Sequence, residues 1–114
     1  MAKFSFNINP RNVPKVNTVH RKICTEIPVP ESLALLDEIK LYESSNALEQ
    51  LPVVWDHAKN HQIFDEWGNA WIDFTSSIFV TNSGHANDET LLRINECISK
   101  PLLHSYYYPT RIRA

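Results

Sequence analysis

Ile63-Phe64-Asp65-Glu66-Trp67-Gly68-Asn69-Ala70-Trp71-Ile72-Asp73-Phe74 decides the fold. Two short apolar and aromatic runs flank Glu66-Trp67-Gly68-Asn69, and Gly68 can take the positive φ that a tight turn demands. The pattern predicts one strand starting at Ile63-Phe64 and another over 71–74. Upstream, Val53-Val54-Trp55 is β-branched and aromatic and predicts a third strand, with Lys59-Asn60 as the turn between. Three short antiparallel strands with tight turns make a meander. That is close to the minimum a sheet needs to hold itself together.

Working outward, Pro30-Glu31-Ser32 opens a helix. Proline suits the first helical position, and Glu31 complements the positive end of the helix. Leu35, Ile39 and Tyr42 recur at helical spacing with Leu36 beside them, giving one apolar face, and Ser44-Ser45-Asn46 ends it. Residues 1–30 read as an extended arm, punctuated by Pro10, Pro14, Pro28 and Pro30, each of which bars helix for the residue before it. Such an arm needs something to lie against. Downstream, 75–82 reads as an apolar loop or short strand, followed by Gly84-His85. Asn87 is a candidate N-cap with Asp88 and Glu89 in the first turn, and Leu91, Ile94 and Ile98 mark one face of the helix that follows. Pro101 ends that helix, and Leu102 to Pro109 is an aromatic, extended segment. The expected fold class is α+β: an extended N-terminal arm, a helix, a three-stranded antiparallel meander and a helix.

The chain has 114 residues, of which 43% are apolar and 21% charged, with a net charge of -2. That suits one domain with a modest core and excludes wholesale disorder. The charge is uneven: residues 1–30 carry +4, 31–99 carry -9 and the last fifteen +3. The basic residues lie in extended, proline-containing chain rather than on a dense stripe interleaved with aromatics, so nucleic acid is not an expected partner. Docking on the acidic middle, of this chain or a neighbouring subunit, fits them better. No apolar run spans a membrane and no secretory signal opens the chain, which implies a cytoplasmic protein with no membrane partner. Cys24 and Cys97 have no metal-ligand spacing and read as reduced, buried or half-buried thiols.

The candidate constellations are modest. His57 and His61 are four apart but span the expected hairpin turn, and no third ligand is signalled. Asp65 and Asp73 could pair for acid–base work, but carboxylates beside turns ordinarily bind backbone amides. His85 after Gly84 reads as a packed histidine that orients its loop, with an anion at the helix entry as the other reading. Trp55, Trp67, Trp71 and Phe74 read as core. With two glycines, neither a dinucleotide fingerprint nor a P-loop can be written.

One longer pattern is more specific. It runs Leu51-Pro52-Val53-Val54-Trp55-Asp56-His57-Ala58, then Phe64 to Phe74, then Ser76-Ser77-Ile78-Phe79-Val80-Thr81-Asn82-Ser83-Gly84-His85. In that order it resembles the N-terminal portion of class III pyridoxal-phosphate-dependent aminotransferases, of fold type I. The family shows a proline, an apolar strand, an Asp-Gly-Ile-Asp meander and a Gly-His pair before the next helix. The resemblance covers about residues 26–114. The family commonly has Gly where Ser77 stands and His-Pro shortly after the Gly-His pair, where this chain has Ala86-Asn87-Asp88.

The resemblance implies that residues 31–114 are part of the N-terminal small-domain segment, with the large cofactor domain absent. The expected function is that of an N-terminal fragment or split portion of a transaminase that moves an amino group to an oxo acid or aldehyde. Ser77, Ile78, Phe79 and Val80 are the implied substrate-binding wall. The implied cofactor is pyridoxal phosphate, held in the full-length enzyme and not by this chain, because none of Lys3, Lys15, Lys22, Lys40, Lys59 or Lys100 matches the family's Schiff-base position. No catalytic or metal-binding residue is assigned, and the chain alone is expected to be inactive. Its implied partners are the large domain, a homodimer mate, an amino donor and an oxo acceptor. Epimerase-, mutase- and decarboxylase-like relatives share the segment. The alternative reading is a non-catalytic interaction module that docks on a partner subunit.

Overall fold

The computed structural model describes residues 6–42 and 50–100. They form an α+β arrangement around one antiparallel sheet. In chain order these are β1 (Val16–Asn17), β2 (Lys22–Ile23), a 3-10 turn (Pro30–Ser32), α1 (Leu33–Tyr42), β3 (His57–Lys59), β4 (Gln62–Phe64), β5 (Ala70–Ile72), α2 (Ser76–Phe79) and α3 (Asp88–Ser99). The strand order across the sheet is β1-β2-β5-β4-β3.

The meander is present as β3, β4 and β5, with Ile63 opposite both Ala58 and Trp71. Its first strand lies further along than the sequence suggests. Val53-Val54-Trp55 is not a strand; the pairing begins at His57, just after the Asp56 amide donates to the Phe64 carbonyl at 2.9 Å. The turn is Asn60-His61, with Asn60 at φ 53, and β5 ends at Ile72. Register here is set by which residues find partners, and that outweighs the β-propensity of an unpaired run.

The arm supplies two further strands. Its β1–β2 hairpin is closed by Thr18, whose amide and hydroxyl both reach the Arg21 carbonyl. Arg11 and Ile27 exchange two backbone hydrogen bonds beyond it. Lys22 pairs with Ala70, so the hairpin extends the meander to five strands. Asn69, 1% exposed, fastens the two parts. Its side-chain oxygen accepts from the amides of Cys24 (2.8 Å) and Thr25 (3.3 Å), while its amide nitrogen donates to Thr25 Oγ1 and Asp65 Oδ2, each at 2.7 Å. Asp65 in turn accepts from the backbone amides of Trp67 and Asn69, closing the turn in which Gly68 sits at φ 87.

Among the described residues the buried apolar core is Ile23, Val29, Ile63 and Ala70. The expected aromatic core is not there. Trp67 and Trp71 are half-buried, whereas Trp55 and Phe74 are exposed. In the β4–β5 register Ile63 and Trp71 share one face of the sheet and Ala70 and Phe64 the other, so these short strands bury one residue on each face and leave its aromatic partner half-covered. Cys24 is exposed rather than buried, and Cys97 is half-buried; both are free thiols. The helices form where expected. Pro30 starts the 3-10 turn that leads into α1, and Asn87 caps α3 by accepting from the Thr90 amide at 3.0 Å. Among the described residues, Leu91, Ile94 and Ile98 of α3 are exposed, whereas α1 exposes Leu35 and Tyr42 but half-buries Leu36 and Ile39 beside a cavity of about 400 Å³ that Phe6, Ile8, Val53 and Val54 also line. The end of the first helix at Ser44-Ser45-Asn46 and the aromatic segment after Pro101 lie outside the described residues. No helix among the described residues is long and apolar enough to cross a membrane.

Candidate functional site

The site is built where β5 ends. Beyond Ile72 the chain reaches Asp73, whose amide donates to the His61 carbonyl at 2.8 Å and so fixes it to the β3–β4 turn. The chain then winds through α2, and α2 is left-handed. Ser76, Ser77, Ile78 and Phe79 have φ values of 49, 49, 61 and 68. The turn closes on itself: the Phe79 amide donates to Thr75 O and the Val80 amide to Ser76 O, each at 2.9 Å. Left-handed helical conformation costs an L-residue about 1–2 kcal/mol, so four in succession cost roughly 4–8 kcal/mol. Ile78 is β-branched, the kind least suited to it. Local propensity does not produce such a turn; surrounding structure must impose it.

Asp73 is the imposing group. Oδ1 accepts from the Thr75 amide (2.9 Å) and hydroxyl (2.8 Å), and Oδ2 accepts from the Ser77 amide at 3.0 Å. Oδ2 also lies 2.7 Å from His85 Nε2. The two side chains are 3% and 11% exposed, so this is an interior pair. Burial pushes the Asp73 carboxyl up, but the His85 contact and then the hydrogen bonds from Thr75 and Ser77 outweigh it and hold the group at about 2.

His85 is itself held. Its amide and carbonyl exchange hydrogen bonds with Asn60, at 2.7 and 2.8 Å. This close approach requires Gly84, at φ 86, where an added Cβ would lie 3.3 Å from the Asn60 Cα. Trp55 meets the imidazole edge-on at 6.1 Å between ring centres. A cleft of about 340 Å³ runs beside the pair between Asn60-His61 and Ser83-Gly84.

The expected wall residues are contiguous, but the turn displays them rather than enclosing them. Ser77 is half-buried over Asp73, whereas Ile78, Phe79 and Val80 are 74%, 79% and 77% exposed. The stretch is neither a simple loop nor a strand. Asp65 and Asp73 do not form a pair: each sits in its own hydrogen-bond network, Asp65 with Asn69 and Asp73 with His85. His57 and His61 are both exposed and face different partners. His57 stacks on Phe64 beside Asp56, and His61 Nε2 lies 3.2 Å from His20 Nδ1. Sequence reasoning treated Asp73 and His85 separately. The eleven residues between them, carrying a left-handed turn without a glycine, hide their contact.

The described lysines do not form a pyridoxal phosphate site. Lys15, Lys22, Lys59 and Lys100 lie exposed, Lys59 bound to Ala86 O and Asp88, and Lys40 is half-exposed on α1 beside Asp37. None of these stands in an enclosed cleft with a carboxylate opposite, so the described lysines do not fit the cofactor by themselves. No protein-family model matches the chain, and the curated proteins contain no match to it.

Proposed function

We propose that this chain is the N-terminal portion of a class III pyridoxal-phosphate-dependent aminotransferase, and that it supplies one wall of a substrate pocket completed by other chain. The observation that carries this reading is the left-handed turn α2, which holds Ile78, Phe79 and Val80 out from the sheet on a fixed backbone. Three adjacent apolar side chains at such exposure are unfavourable in water and favourable against a second surface. Pressed against a cofactor-bearing domain, they exclude water and orient the carbon skeleton of an amino donor. The lysine and the phosphate cradle belong to the remainder of the enzyme, and no chemical step falls to a residue of this chain.

The test has two arms. Joined to the cofactor-bearing remainder of such an enzyme, the chain is expected to transfer an amino group from an amino acid or amine to an oxo acid. Substitution Phe79→Ala in that protein should raise KM for a bulky donor at least tenfold. The 114-residue chain with pyridoxal phosphate should give no stoichiometric lysine adduct that borohydride locks at one site. Such an adduct, or a joined protein without amino-transfer activity, overturns the reading.

The exposed Leu91, Ile94 and Ile98 of α3 favour a second reading, a non-catalytic module that docks on a partner subunit. The joined protein separates the two, because a module of that kind binds its partner without turning over an amino donor.

A further inference from the structure

We infer that Asp73 and His85 are positioning residues that act as a clamp, holding α2 left-handed and thereby fixing where Ile78, Phe79 and Val80 project. What those side chains face rests on the aminotransferase reading; the clamp does not.

One carboxylate oxygen, Asp73 Oδ2, receives both the Ser77 amide and His85 Nε2, while the other gathers Thr75. The turn is therefore gripped at its entry and at its second residue. Both jaws are anchored to the β3–β4 turn and not to α2: Asp73 through the His61 carbonyl, and His85 through the paired bonds with Asn60. In a right-handed turn over the same residues the side chains would follow round the axis in the opposite order. Ile78 and Phe79 would then leave on other sides of the backbone. The imidazole sets the register of the carboxylate, and the carboxylate sets the handedness of the turn.

The clamp is tested on the 114-residue chain by NMR, with no cofactor needed. A strong intraresidue amide-to-α-proton contact marks positive φ, and it should be present at Ser77 and Ile78. In His85→Ala that contact should disappear at both residues and the Ser77 amide should exchange at least tenfold faster. The Ile63 and Ala70 amides should stay protected. His85→Gln, which keeps a donor, should retain part of the protection.

An unchanged Ser77 in His85→Ala overturns the clamp. So does simultaneous loss of protection at Ile63 and Ala70, which would make the pair a support of the whole sheet rather than of the turn. In the joined protein, His85→Ala should raise KM for the donor with kcat little changed. If that protein is inactive while the NMR results hold, the aminotransferase reading fails and the clamp stands.

Discussion

Two residues carry far more than their share of this chain, and each is a hydrogen-bond hub. Asn69 satisfies two backbone amides of the arm and the Asp65 carboxylate at once. Asn69→Ala leaves those half-buried amides and the buried Asp65 carboxylate without their partner, and an unsatisfied buried group costs about 1–3 kcal/mol. The expected loss is roughly 2–4 kcal/mol in urea denaturation, with the amide protection of Lys22 and Ile23 falling first. Asp73 is the second hub, and its depressed pKa gives it a pH signature. A carboxyl at about 2 in the folded chain and about 3.9 unfolded stabilises fully above about pH 4. That contribution is lost as the pH falls through 2. The stability difference between wild type and Asp73→Asn should therefore be constant from pH 7 to about 5 and shrink on further acidification, as read by thermal denaturation. The Asn69 turn was legible in the sequence because Gly68 announces it. The Asp73–His85 contact was not, because nothing in a one-dimensional pattern says that two loops twelve residues apart will close on each other.

At the scale of elements, the sequence was most informative where a residue does its work locally. Pro30 and Asn87 mark helix starts because a missing amide and a side-chain acceptor act within one turn. Val53-Val54-Trp55 misled because a β-branched run becomes a strand only when a neighbour's backbone is free to pair, and β4 pairs from His57 onward. α2 was illegible for a different reason. Ser-Ser-Ile-Phe contains no residue that favours positive φ, so the handedness is not written in those four residues themselves. It follows that Ser77→Gly, which relieves strain without removing the Asp73 contact to the backbone amide, should stabilise the chain. The gain should be about 1 kcal/mol, seen as a higher Tm. A lower Tm would mean that Ser77 is not strained.

For the whole molecule, the ledger of surface is unusual. Among the described residues, Ile78, Phe79 and Val80 stand 74%, 79% and 77% exposed in one run, and Leu91, Leu92, Ile94 and Ile98 of α3 are exposed as well. Adjacent apolar side chains at such exposure are what a second surface covers. The chain on its own should therefore bind an environment-sensitive apolar dye and sediment as a concentration-dependent mixture. Replacing Ile78 and Phe79 together by Ser should reduce both effects while leaving the Ile63 and Ala70 amides protected. A wild-type monomer that sediments as a compact sphere and leaves the dye dark contradicts this. Composition foretold a modest core, yet the α3 periodicity, which in a self-sufficient domain points inward, here marks a face whose Leu91, Ile94 and Ile98 stay exposed among the described residues.

The left-handed turn also makes the chain an unusual host for mirror-image chemistry. At 114 residues it is within reach of chemical ligation, so a D-amino acid can be placed at one chosen position. In a right-handed helix a D-residue is an intruder; at position 77 the strain belongs to the natural enantiomer, and D-serine would sit at rest with its amide still offered to Asp73.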